Sequence, residues 1–288
     1  MAHTNREVRD RLFKKVFEDK KDLLSLYNAL NNTAYDDPDA IEITTIDDVI
    51  YMGMKNDLSF IISSVLNVYE QQSTYNPNMP LRSLLYIAKS FESYMTDWRD
   101  VHGSRLVRLP NPQPVVFYNG NDNRPDKEEL LLSDAYVDGR NVKLELKVLM
   151  FNINEGRNAD LMEHCQKLKE YSLFVSKLKE CRKKCATVEE AVDETVDYCI
   201  EHDILKSILA KNRAEVRMSV LTEYDEEFHI KCEKEWSRED GMKENLINNI
   251  RKFSVKMSMP IEQVMDILEV PESERADLLE QLSSDIPT

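Results

Sequence analysis

The stretch LSFIISSVLNVYEQQ, residues 58–72, commits the chain to a β-sheet. Its β-branched and apolar run reads as strand. It is either one long strand or two strands that turn near Ser63 and Ser64, and the second reading is the one adopted. The segment before it, IEITTIDDVIYM from Ile41, alternates and is also β-branched, so it reads as a strand too.

Helix-period patterns lie on both sides. Residues 6–31 read as an amphipathic helix, with Leu12, Val16, Phe17, Leu23, Leu24, Tyr27 and Leu30 at helical spacing. Asn31 and Asn32 end it, and the Asp/Pro segment at 36–39 is a turn. NPNMP (76–80) is a loop in which Pro80 opens a new helix, where its missing N–H costs nothing. That helix runs to about Trp98. The prolines of RLPNPQPVVFYNG exclude a central strand before Val115, after which VVFYNG is a short buried strand ending in a turn. LLLSDAY and NVKLELKVLMF are further strands. Beyond Asn158 the pattern is helical at about 160–181, 187–211, 240–257, 260–269 and 272–283.

The expected fold class is therefore α/β: a central mixed sheet flanked by helices, with a helical C-terminal half. Residues 1–235 form one domain that includes the helical elaboration 159–235, and 236–288 form a small helical tail. Only six glycines in 288 residues, with 32% charged and 42% hydrophobic, suit a helix-rich mixed protein better than an all-β one.

The formal charge of −15 gives the surface as a whole no attraction for nucleic acid. One cleft can differ from the total, and a metal site itself requires acidic residues. No apolar run is long enough for a membrane span, and MAHTNREVRD lacks the apolar core of a secretory signal. The five cysteines are odd in number and sparse, which points to a reduced, cytoplasmic setting.

The residues with chemical content are Asp57, Glu70, Gln71 and Gln72. Phosphodiester hydrolysis uses a divalent cation to activate water and offset charge on phosphorus. Mg²⁺ takes one or two carboxylates from the protein. Asp57 at a strand start and Glu70 near the end of the next strand can meet across a hairpin. The strand period of two puts Glu70 and Gln72 on one face. Glu70 would bind the cation, Gln72 would orient water or contact phosphate, and the Gln71 backbone carbonyl would be a further ligand. By spacing alone the pattern is weak, and Asp57 capping a turn with Glu70 standing in solvent is the better explanation of it.

The order of longer motifs carries more. RDRLFKKVF, KNDLSFII, YEQQSTYNPNMPLRSLLYI, LPNPQPVVFYNG and LLLSDAY resemble the recombination-promoting nuclease/putative transposase (Rpn) family. FNINEGRN, CQKLKEYSLFV, the helix from Ala191 to Cys199 and NRAEV extend the resemblance over about residues 6–230. That family belongs to the PD-(D/E)XK nucleases. The resemblance implies a core sheet flanked by helices, Mg²⁺- or Mn²⁺-dependent DNA cleavage, and a role in mobile elements or phage defence. The family's acid before the second strand falls on Asp57, its Glu-x-Gln on Glu70 and Gln72, and the acid of its first-helix motif on Asp10. The Pro-Asp of the superfamily is Asn56-Asp57 here, Gln72 stands where other members carry Lys, and Tyr69 replaces an aliphatic residue.

Arg82, in the first turn of the helix after the loop, is a candidate phosphate contact, with a surface salt bridge as the alternative. Asn119-Gly120 is explained by a tight turn. Cys181, Cys185, Cys199 and His202 invite a zinc site, but a spacing of four is also one helix face. KECRKKC (179–185) is the strongest basic cluster and reads by default as a solvated helix face. The acidic helices of the tail from Met242 suit oligomerisation or protein docking better than DNA reading. Two functions remain in view: a Mg²⁺-dependent endonuclease acting on DNA, with RNA open, and a catalytically silent nuclease-fold scaffold that binds a protein partner. Use of an active nuclease as a transposase ranks below plain cleavage, for want of a second recombinase domain.

Overall fold

A computed structural model describes residues 12–44, 58–95, 97, 99–138, 141–218 and 220–221, and from the last part of the chain 246, 249–250, 252–254, 256, 259–268, 270 and 275. The chain divides into two compact units, Met1–Tyr224 and Asp225–Thr288.

The first unit is a mixed α/β structure. Its sheet has six strands: β1 (Glu42–Ile43), β2 (Leu58–Ile62), β3 (Val65–Gln72), β4 (Asn111–Tyr118), β5 (Lys127–Leu131) and β6 (Lys147–Asn152), in the spatial order β1-β2-β3-β4-β6-β5. β1, β2 and β3 run antiparallel in sequence; β3, β4 and β6 are parallel; β5 returns antiparallel on the far edge. The β2–β3 pair is the hairpin expected at Ser63-Ser64. Both serines have positive φ, 48° and 64°, the backbone of a two-residue turn whose twist matches its strands.

Alternation along the strands sorts the core into two faces. Phe60, Tyr69, Val115 and Phe117 point to one side, where they meet helices α1 (Leu12–Val16), α2 (Lys20–Asn31), α5 (Ala159–His164) and α6 (Gln166–Arg182). Phe13 of α1 lies 5.1 Å from the Phe117 ring and 5.3 Å from the Tyr171 ring, so one aromatic cluster ties helix, sheet and helix together. α7 (Val188–Glu201) and α8 (Lys206–Lys211) extend this layer through Val192, Val196 and Leu209, and residues 213–218 are helical. Leu66, Val68, Val116 and Met150 point to the other side, which α3 (Met79–Tyr94) covers with Met79, Tyr86 and Ile87. A short helix, α4 (Arg99–His102), follows.

Several boundaries differ from the sequence reading. The helix expected over 6–31 is two helices. Asp19 interrupts it with extended backbone and accepts from the Lys21 N–H as an N-cap. The expected end at Asn31-Asn32 is found, with Asn32 left-handed at φ 51°. The helix expected to reach Trp98 ends at Tyr94. The helix expected over 160–181 breaks at Cys165, whose backbone is extended, and the one over 187–211 breaks at 202–205. Of LLLSDAY only the first two residues are strand, and Leu132–Ala135 form a 3-10 turn.

The largest correction is β4. It is a central strand that starts at Asn111 and contains Pro112 and Pro114, where prolines were expected to forbid one. In a parallel ladder, alternate residues direct both N–H and C=O to the same neighbour. Asn111 and Asn119 donate to Ser64 and Gln72 on the β3 side, so the even-numbered residues face β6. The β6 pairing begins only at Val115. Both proline nitrogens therefore face a side on which no strand asks for a donor.

In the second unit Ile250, Val264, Met265 and Val270 form a small core with α9 (Ile261–Ile267). Among the described residues no helix is long and apolar enough to cross a membrane.

Candidate functional site

The parallel strands β3, β4 and β6 end on the same edge of the sheet, and the polar residues of the chain's motifs collect there. In open α/β sheets the carboxyl ends of parallel strands leave a crevice where ligands bind. Here that edge carries Glu70, Gln71 and Gln72 from β3, Asn119 and Gly120 after β4, and Asn152 and Asn154 at and just beyond the end of β6.

Glu70 and Gln72 share the α3 face, as the strand period requires. Glu70 is only 2% exposed, a burial that a carboxylate does not accept without compensation. Arg82, one turn into α3, brings its Nη2 to 3.5 Å from the Glu70 Oε2 and donates to the Tyr86 hydroxyl at 3.0 Å. The Arg82 side chain is 35% exposed, so the pair joins a buried acid to a base that still touches water. Gln72 donates through Nε2 to the Met79 sulfur, while its buried Oε1 has no hydrogen-bond partner among the described residues. The expected salt bridge of Arg82 is therefore real, but its acid is Glu70 of the candidate site and not a surface residue.

Gln71 points the other way. Its side-chain amide donates to Asn119 Oδ1 at 2.9 Å, and Asn119 Nδ2 lies 3.4 Å from the Tyr171 hydroxyl of α6. Successive carbonyls of a strand alternate in direction. The Gln72 carbonyl accepts from the Asn119 N–H, so the Gln71 carbonyl points to the β2 edge of β3. Asp10 and Asp57 lie outside the described residues.

Lys179 of α6 belongs to this edge, and the sequence reading passed over it within the basic run 179–185. Its amine donates to the carbonyl of Asn119, to that of Gly120 at 3.2 Å and to Asn154 Oδ1 at 2.9 Å. A lysine with backbone acceptors on that scale is a clamp between α6 and the ends of β4 and β6. No sequence spacing announces it, because two of these acceptors are backbone carbonyls. Gly120 has a related constraint. A Cβ there would sit 2.4 Å from the Ser73 carbonyl oxygen, so close approach of two chain segments, not a hairpin turn, demands glycine.

Arg213 and Arg217 pair with Asp197 and Asp193 of α7. Among the described residues no three His, Cys, Asp or Glu side chains gather to hold a metal, which leaves the imagined Cys/His zinc site without support. Cys181 and Cys199 are buried, and burial drives the Cys199 thiol up to about 12. A surface cleft of about 800 Å³ is lined by Lys21, Asn28, Asn32, Tyr35 and His164 among others, and none of the described site residues, Glu70, Gln71, Gln72 and Arg82, lines it.

No family model, curated protein or solved structure matches this chain.

Proposed function

We propose that the chain is a divalent-cation-dependent nuclease of the PD-(D/E)XK type that hydrolyses DNA phosphodiester bonds, in keeping with its motif resemblance to the Rpn family. The observation that carries this reading is a buried carboxylate, Glu70, on the same face at the carboxyl end of β3 as a buried amide oxygen, Gln72 Oε1, that has no hydrogen-bond partner among the described residues. Such an acid is costly to bury and serves no apolar core. Gln72 Oε1 beside it is an oxygen donor, the type that Mg²⁺ or Mn²⁺ takes in preference to the nitrogen and sulfur ligands of zinc.

The residues fit a hard cation. Glu70 would hold it, Gln72 Oε1 would hold it or its water, and the Gln71 carbonyl would face the same edge. Asp57 would add the second carboxylate: it is the chain neighbour of Leu58, and Leu58 pairs with Tyr69, the neighbour of Glu70. A bound cation supplies Lewis acidity and an activated water. Gln72, which carries no charge, would orient that water by hydrogen bonding alone. Arg82, exposed on one side, would face the phosphate. A role in mobile elements or phage defence, and activity on RNA, extend the same chemistry.

The test is plasmid cleavage in Mg²⁺ or Mn²⁺ by the wild type, Asp57→Ala and Glu70→Ala. Loss of cutting in both variants, with folding retained, is the expected result. An inert wild type under every cation refutes the assignment. The second reading, a silent nuclease-fold scaffold for a protein partner, is favoured by the net charge of −15 and by the exposed Leu81 and Leu85 on α3. It expects cation titration calorimetry to give the same trace for the wild type and Asp57→Ala.

A further inference from the structure

We propose that Arg82 is an exchangeable counter-ion: it neutralises Glu70 while the site holds no divalent cation, and when a cation takes the Glu70 carboxylate the guanidinium is released toward the substrate phosphate. This rests on the nuclease reading above and adds to it a coupling between cation and phosphodiester binding.

Three features argue for exchange over a fixed structural bridge. The first is asymmetry of burial. Glu70 is 2% exposed and Arg82 35%, so the acid is locked in the strand while the base ends a long side chain that reaches solvent. The second is the contact itself. At 3.5 Å, with one nitrogen facing one oxygen, it is longer than a strong charge-assisted hydrogen bond and is not the bidentate fork that arginine forms when a carboxylate is its permanent partner. The third is Tyr86. Its hydroxyl accepts from the same Nη2 at 3.0 Å, and the guanidinium carbon lies 5.8 Å from its ring. Arg82 can leave Glu70 and still keep a partner four residues along its own helix. A divalent cation at Glu70 would repel the guanidinium and at the same time replace its neutralising charge. The freed arginine is then beside a cation that draws the phosphodiester to it.

Reciprocity makes the idea measurable. If cation binding releases a phosphate contact, the cation must raise affinity for DNA, and DNA must raise affinity for the cation by the same factor. The experiment uses the full chain with Ca²⁺, which takes the same oxygen donors, and a short DNA duplex. Calorimetry gives Ca²⁺ affinity with and without the duplex, and fluorescence anisotropy gives duplex affinity with and without Ca²⁺. The proteins compared are the wild type, Glu70→Gln, Arg82→Met and Arg82→Lys.

For the wild type the expected coupling is about 5- to 100-fold in both directions. Arg82→Met should bind Ca²⁺ about fivefold or more tightly, because no resident charge is displaced, and should lose most of the coupling. Arg82→Lys keeps the charge and guards against a misfolded methionine variant. It should bind Ca²⁺ within about threefold of the wild type and lose part of the coupling, since an ammonium lacks the planar fork. If Arg82→Met leaves Ca²⁺ affinity and coupling unchanged while Glu70→Gln abolishes Ca²⁺ binding, the exchange is wrong and the cation site stands. If the wild type and Glu70→Gln bind Ca²⁺ alike, the cation site at Glu70 falls and the exchange falls with it.

Discussion

Arg82 Nη2 stands 3.5 Å from Glu70 Oε2 and 3.0 Å from the Tyr86 hydroxyl, so one guanidinium nitrogen links the end of β3 to the helix that covers it. Removing one member of a buried pair leaves the other charge uncompensated, which is worse than removing both. Arg82→Met should therefore lower stability by about 1–3 kcal/mol, discounted because the arginine is a third exposed. Adding Glu70→Gln should recover much of that loss. Urea melts of the two single variants and the double variant measure this. A double variant no more stable than Arg82→Met would mean that the pair does not interact in solution.

Gln113 lies between two prolines that β4 tolerates, yet it should not tolerate a third. Its N–H has the parity of Asn111 and Asn119, which donate to β3, whereas Pro112 and Pro114 face a side that β6 has not yet reached. Gln113→Pro should cost about 3 kcal/mol or more by deleting a ladder bond. Pro112→Ala and Pro114→Ala should each cost under about 1 kcal/mol, mainly through the entropy of the unfolded chain. Three denaturation curves decide it, and equal losses at all three positions would refute the register.

The same strand explains what the sequence could and could not disclose. A proline warning is a statement about a missing donor, and its force depends on which neighbour the donor would face. That neighbour, β6, lies far along the chain, so no local reading reaches it. The hairpin at Ser63-Ser64 was legible because both of its strands and its turn are local. That Glu70 and Gln72 share a face was legible because a period of two is local, whereas the contact of Arg82 with Glu70 depends on how α3 packs on β3, which no local pattern states. Lys179 was not legible, because it binds carbonyl groups of Asn119 and Gly120, which leave no mark in the sequence. The break at Asp19 was missed because apolar spacing continues across it from Phe17 to Leu23, while the cap is a single side chain. The prediction that no run crosses a membrane agrees with the helices described.

Two buried thiols make stability depend on alkaline pH. Burial lifts Cys165 from 9.0 to about 11 and Cys199 from 9.0 to about 12. Above pH 9 the unfolded chain releases these protons while the folded chain keeps them, so the unfolded state binds fewer protons and stability falls as pH rises. The contribution is complete below pH 9 and is lost progressively between 9 and about 11–12. Each thiol costs up to about 1.4 kcal/mol per pH unit in that window. Urea midpoints at pH 8 and pH 10 should therefore differ, and Cys165→Ala/Cys199→Ala should flatten the difference. A wild-type midpoint that does not move would show that these thiols ionise in the fold as freely as out of it.

Lys179 and Lys184 offer the sharpest contrast. The Lys179 amine satisfies the carbonyls of Asn119 and Gly120 and the side-chain oxygen of Asn154. Lys184, just past the end of α6, pairs among the described residues with the exposed Glu180. Charge-assisted hydrogen bonds to otherwise buried acceptors are each worth about 1.5–3 kcal/mol, and surface pairs are worth little. Lys179→Met should lower stability by about 2 kcal/mol or more, while Lys184→Met should leave the melt unchanged. The loss would not be confined to global stability. The Asn119 N–H also holds the Gln72 carbonyl, so loosening the turn after β4 frees the end of β3 that carries Glu70 and Gln72. Hydrogen exchange of the Asn119 amide should accelerate in Lys179→Met well beyond the change in global unfolding. Equal acceleration of amides throughout the sheet would instead make Lys179 a general stabiliser with no particular hold on this edge.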